Sequence, residues 1–146
     1  MNRHSQICIV LLFGTLMTGC AIHQTVKPVE RFDGKRVCII EKASVKAGFL
    51  ETYSRVLTSK GYEVKTLPPS ASLVDCPVTS TYNAKWKWDM ALYMALAEIT
   101  VYSNGKPIGE ATYDSLSGDG TLSKFVDAEK KITELVNQLF PGDVNN

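Results

Sequence analysis

Hydrophobic and polar residues alternate along this chain in two distinct periods. From Val78 onward, Val78, Ser80, Tyr82, Ala84, Trp86 and Trp88 fall on one face at period two, and Thr79, Thr81, Asn83, Lys85 and Lys87 on the other. That alternation predicts a half-buried strand. Residues 36–41, Arg-Val-Cys-Ile-Ile-Glu, are short, β-branched and bounded by charge, and 62–67 repeats the type. Between them, residues 45–60 carry Phe49, Leu50, Tyr53, Val56 and Leu57 at helical spacing, with Ser44 as candidate cap and Gly61 as stop. A strand, a helix and a strand with short links imply a parallel pair.

A long strand is expected over 91–103. The helix formers between Asp89 and Glu98 compete with it, but Ile99-Thr100-Val101-Tyr102 continues as clear β. Asn104-Gly105 marks a hairpin turn, since both residues tolerate positive φ, and 106–114 returns as a further strand. Residues 115–122 read as a flexible loop. Residues 123–140 form a last amphipathic helix with Phe125, Ile132, Leu135, Val136 and Leu139 on its apolar stripe. The order β-α-β-β-β-β-α predicts an α/β (α+β) two-layer sandwich: a mixed sheet of about four to five strands with two helices on one face.

The N-terminus reads differently. Arg3 precedes the apolar run Ile7 to Phe13, which is shorter than the ~20 residues of a spanning helix and is broken by Gly14 and Thr15. A short membrane anchor that happens to carry a cysteine is therefore the weaker alternative. Met17-Thr18-Gly19-Cys20 resembles the lipobox of bacterial lipoproteins, where small residues admit the signal peptidase and the thiol accepts diacylglycerol. The resemblance implies a signal peptide over 1–19, lipidation of Cys20 with acyl chains such as palmitate, and a membrane-anchored protein. Ala21, rather than Asp, after the cysteine implies export to the outer membrane, facing the periplasm. Residues 20–35 lack a sustained period and contain Pro28 and Asp33-Gly34, so they read as a tether. A single domain is expected over 36–142, followed by a tail over 143–146.

Removing 19 of 146 residues leaves 127, enough for one core. Of the 16 basic and 15 acidic residues only Arg3 departs with the leader, so the rest balances 15 against 15. Nucleic acid rewards clustered cations, and this balance argues against it. Cys8 leaves with the leader and Cys20 is acylated. Cys38 and Cys76 remain as an even pair in an oxidising compartment, where a disulfide is expected; two buried free thiols are the alternative.

Five stretches, Val26 to Phe32, Cys38-Ile39-Ile40-Glu41, Cys76-Pro77, Asn104-Gly105-Lys106-Pro107 and Lys131 to Val136, resemble an uncharacterised family of small proteobacterial envelope lipoproteins. The likeness spans the mature chain, but none of these stretches is a motif with a mechanism. It implies an address and no activity. More loosely, the layout is similar to accessory lipoproteins of envelope machines, an analogy of element order alone.

No catalytic constellation is legible. The one histidine beyond the leader, His23, lies in the expected tether, so no triad can be positioned. Zinc-ligand spacing, repeated calcium-loop carboxylates around Asp119, and a phosphate-loop pattern are missing from the sequence. Carboxylate pairs arise by chance in any chain with this many acids. No cofactor or metal is expected, and the chain does not read as an enzyme. Lys85-Trp86-Lys87-Trp88 invites a ligand reading, yet its tryptophans share the face of Val78 and Tyr82 and so more simply pack under the helices.

The remaining candidate is the helix-free sheet face. A two-residue turn at Asp89-Met90 pairs Lys87 with Leu92, Lys85 with Met94 and Asn83 with Leu96. Ala91, Tyr93, Ala95 and Ala97 then point inward, and Leu92, Met94, Leu96 and Tyr102 outward. An apolar patch of this kind is where an envelope protein or a second copy would dock, unless the tether or the 68–76 loop covers it. Carried through Asn104-Gly105, the same register puts Glu110 opposite Ile99 on the helix side, which demands either a bulge or a rim position. The leading expectation is a non-catalytic interaction module of an envelope complex. The alternative is a lipoprotein that binds a small ligand such as a glycan, peptidoglycan fragment or lipid.

Overall fold

The computed structural model describes residues 22–117 and 122–142. Among the described residues six strands form one mixed sheet: β1 (His23–Lys27), β2 (Arg36–Ile40), β3 (Glu63–Leu67), β4 (Val78–Asp89), β5 (Ala91–Ser103) and β6 (Lys106–Asp114). Their order across the sheet is β1-β6-β5-β4-β2-β3. Strands β2, β3 and β4 run parallel where they pair, and β4-β5-β6-β1 are antiparallel neighbours. Helix α1 (Ala47–Ser59) links β2 to β3, and α2 (Ala128–Leu139) follows β6.

The fold is the expected α+β class, with six strands rather than four or five. The additional strand is β1, which lies in the segment expected to be a tether. Its register, His23 with Asp114 through Lys27 with Glu110, makes it the edge partner of β6. The chain after it is also fixed. Val29 N–H donates to the Leu139 carbonyl at 2.8 Å and Glu30 N–H to that of Ile108 at 2.9 Å. Phe32 stacks on Tyr62, which meets Phe140 edge-on. Gln24 donates to Glu134 at 2.7 Å and accepts from Lys131 at 3.0 Å, so β1 is tied to α2 by side chains as well. The hydrogen bond from Lys131, and next that from Gln24, hold the Glu134 carboxyl below its ordinary pKa. A sequence as polar as His-Gln-Thr-Val-Lys suits an edge strand, where little is buried.

The core lies between the helices and one sheet face. Phe49, Tyr53, Val56 and Leu57 of α1 and Ile132, Leu135, Val136 and Leu139 of α2 meet Val37, Ile39, Val78, Tyr82, Met94, Ala97, Ile99 and Val101. Phe49 stacks on Tyr82 with ring centroids 5.0 Å apart. Burial pushes the Tyr53 phenol well above its usual pKa, and its hydroxyl is paired with Ser80 Oγ at 2.9 Å. This explains a serine on the inward face of β4: it satisfies a buried hydroxyl.

Helix boundaries moved inward. Lys46, not Ser44, occupies the first cap, without a side-chain bond. In α2 the cap is Asp127, whose carboxylate accepts from Lys130 N–H at 2.8 Å, and Leu122–Lys124 forms a separate 3-10 turn. An aspartate at this position stabilises a helix start more than a helix interior, which shortens the expected 123–140 helix. Phe125 therefore leaves the apolar stripe and packs on Tyr93 instead.

Candidate functional site

Strand β5 carries the site expectations, and two bulges decide them. The β4-β5 hairpin is tighter than expected. Asp89 pairs with Ala91 across Met90, which adopts φ 58°. This places Trp88 opposite Leu92, Lys87 opposite Tyr93 and Trp86 opposite Met94. The register then shifts, Lys85 pairing with Leu96, so that Ala95 is the extra residue of a bulge. A one-residue change in register sends side chains to the other face. Met94 is accordingly fully buried in the main core, and Tyr93 lies on the helix-free side. Leu96 falls on that side too, yet is only 7% exposed. Leu92 is 54% exposed, but it shares the side of Met94 and projects past the helices. Tyr102 is half-buried beside Thr79. Leu92, Met94, Leu96 and Tyr102 thus do not form one exposed patch, and the expected outward face is corrected.

A second bulge resolves the position of Glu110. Val101 pairs with Gly109 and Tyr102 with Pro107, leaving Ile108 as the extra residue of β6. Glu110 then lies opposite Thr100, exposed, with Lys27 of β1 on its other flank.

The helix-free face has three zones. At one end the 68–76 loop covers Cys38 and Leu67, and Cys38 is joined to Cys76 by a disulfide with Cα atoms 6.2 Å apart. In the middle the half-buried positions are polar. Thr81, Asn83, Glu98 and Thr100 line a cleft of about 600 Å³ together with Ile40, Lys42 and Pro69, and Asn83 donates to Glu98 at 2.9 Å. At the far end the chain after β6 folds across the sheet. Ser115 donates to the Ala95 carbonyl, Lys87 to that of Leu116, and Phe125 packs edge-on against Tyr93. Lys124, 2% exposed, lies between Tyr93 and Phe125 and pairs with Asp89 at 2.5 Å.

Apolar exposure is concentrated at this far end instead. Among the described residues the large apolar side chains left open are Trp88, Met90, Leu92, Leu122 and Val74. The first three belong to the β4-β5 hairpin tip, and the bridge from Lys124 to Asp89 brings Leu122's turn beside it. Of the two tryptophans, Trp86 packs as expected, at the rim of the helical layer beneath Lys46. Trp88, 75% exposed, does not. The sequence held a clue here: strict alternation carries the β4 stripe one residue pair beyond what two short helices can cover.

Among the described residues no group of three or more His, Cys, Asp and Glu side chains is placed to hold a metal. His23 sits exposed on the edge strand. Cys20, the leader and Asp119 lie outside the described residues.

These features define an α+β domain whose single mixed sheet carries both helices on one face and whose other face is polar in its centre. The sequence matches no family profile and no curated protein. The fold is similar to that of PelC from Paraburkholderia phytofirmans, solved as a dodecamer. At 13% identity the likeness covers 84% of this chain and 99% of that one, with a TM-score of 0.53. A single-substitution form of the same dodecamer gives 10% identity, coverage of 82% and 94%, and a TM-score of 0.53. At such identities the likeness establishes the fold.

Proposed function

We propose that this chain is a lipoprotein anchored through Cys20 in the outer membrane and facing the periplasm, where it serves as a non-catalytic interaction module of an envelope complex. The observation that carries the reading is Met17-Thr18-Gly19-Cys20 at the end of a short apolar run, placed immediately before a folded domain. The Cys38–Cys76 disulfide fits an oxidising compartment. Because the PelC chains of similar fold are subunits of a dodecamer, a second copy of this chain is the first partner to test.

The experiment combines processing with assembly. In cells, Cys20→Ala should accumulate as an unprocessed precursor without acyl label. Mature wild-type protein extracted in mild detergent should migrate as an oligomer or co-purify with a defined envelope protein. Normal processing and acylation of the Cys20→Ala form would refute the anchor, and a strictly monomeric, partnerless mature protein would refute the module.

A second reading is favoured by one observation, the polar cleft around Asn83 and Glu98. A pocket of this size with a few convergent polar groups suits a glycan or peptidoglycan fragment. Calorimetry with such fragments, against the protein carrying Asn83→Ala, separates the two readings.

A further inference from the structure

The domain begins close to Cys20, and the direction in which it begins is informative. Strand β1 is antiparallel to β6, which is antiparallel to β5, so β1 and β5 point the same way. His23 is level with Asp114 and Leu96. From Leu96 back to Ala91, β5 continues for five residues toward the hairpin, about 16 Å at ~3.3 Å per residue. Cys20 lies three residues before His23, a reach of at most about 10 Å. The end of β1 that follows Cys20 in the chain therefore lies toward the apolar hairpin tip.

We infer that this end, with Trp88, Met90, Leu92 and Leu122 as its apolar surface, is a membrane-contacting wedge that inserts into the phospholipid interface beside the acyl chains. The inference rests on the lipoprotein reading above. Four of the five exposed large apolar side chains among the described residues gather here, 54–84% exposed. Met90 occupies the outermost turn with positive φ, where glycine or asparagine is the ordinary choice. The charges suit headgroups. Lys85 and Lys87 are exposed on the flank of the tip, and the carboxylate at the tip, Asp89, is joined to Lys124. Tryptophan with flanking lysines is the pairing favoured at a bilayer surface: the indole lies at headgroup depth and the ammonium groups reach the phosphates. The tip is also stiff, since Lys124 and Phe125 brace it from the helix-free side. With so short a link, the domain stands on the membrane in one orientation, its polar cleft and the end that carries the Cys38–Cys76 disulfide directed away from the lipid.

The test uses the chain's two tryptophans. Full-length mature protein is reconstituted into phosphatidylethanolamine–phosphatidylglycerol vesicles containing acyl-brominated lipid. Trp86→Phe leaves Trp88 as the reporter, and Trp88→Phe leaves Trp86. Trp88 should be quenched roughly twofold or more beyond Trp86, with blue-shifted emission. Equal quenching of the two would overturn the proposal. So would a Trp88 protected from aqueous acrylamide yet untouched by brominated lipid, which would mean that a second copy covers the tip. Intact mass of the same sample reports acylation of Cys20 independently. If Cys20 is bare, the anchor reading fails on that measurement, and vesicle quenching of Trp88 still supports or overturns the wedge.

Discussion

The Lys124 ammonium is buried between the rings of Tyr93 and Phe125 and meets the Asp89 carboxylate at 2.5 Å. One ion pair thereby joins the tip of the β4-β5 hairpin to the turn that precedes α2. A buried charge is costly when its counter-charge is removed, and less costly when both are replaced by apolar groups. Asp89 is itself 54% exposed, so water offsets part of that penalty. Asp89→Ala should destabilise the domain by about 1–3 kcal/mol in urea denaturation. The double variant with Lys124→Met should recover most of the loss. If the double variant is no more stable than Asp89→Ala alone, the pair does not carry the brace.

Leu92 and Met94 stand two residues apart on the same side of β5, yet one is open and the other fully enclosed. Leu92→Ser should change stability by no more than about 0.5 kcal/mol, as open surface substitutions do. Met94→Ala should cost about 2–5 kcal/mol through lost contacts and a cavity in the main core. Thermal melts of the two single variants distinguish this from the register read off strict alternation, which would have made them alike.

That difference shows where the sequence was legible. Local chemistry named the elements: the helical stripe of α1, the parallel pair β2 and β3, the Asn104-Gly105 turn with φ of 48° and 79°, and the Cys38–Cys76 pairing. The phase of β5 was beyond reach. It depends on a one-residue turn at Met90 and on bulges at Ala95 and Ile108, each set by what lies across the sheet rather than by its own residue type. Strand β1 is not legible because an edge strand needs few apolar residues, and its hold on the domain comes from β6 and α2, both far along the chain. Phe125 falls outside the expected helix because Asp127, two residues on, supplies the cap at which α2 begins.

The disulfide closes a span of 38 positions between β2 and the loop before β4. In the chain-entropy account such a loop restricts the unfolded ensemble by about 4 kcal/mol. Cys38 is fully buried against Leu67, so its replacement also disturbs packing. The cleaner measurement is the urea midpoint of wild-type protein before and after reduction. Reduction should lower stability by up to about 4 kcal/mol, and an unchanged midpoint would show that the bridge is energetically idle.

Gly109 marks where the segment after β1 crosses β6. A Cβ built there would lie 2.7 Å from Val29 Cγ2 and 2.8 Å from Val29 Cα. The second contact is backbone, so no rotamer change can relieve it. Val29 is itself fixed, its N–H bonded to Leu139 at the end of α2, and Glu30 N–H is bonded to Ile108 beside the β6 bulge. Gly109→Ala must therefore push the 28–30 segment off the sheet or distort the bulge, at a cost of about 1–3 kcal/mol. The local signature matters more than the magnitude. Amide exchange should quicken at Val29, at Glu30 and along β1, while β2 and β3 at the opposite edge keep their protection. Uniform loss of protection would instead mean that Gly109 supports the whole sheet. No change would mean that the chain before β2 is not held against β6, and β1 would then give the domain no fixed start three residues after Cys20.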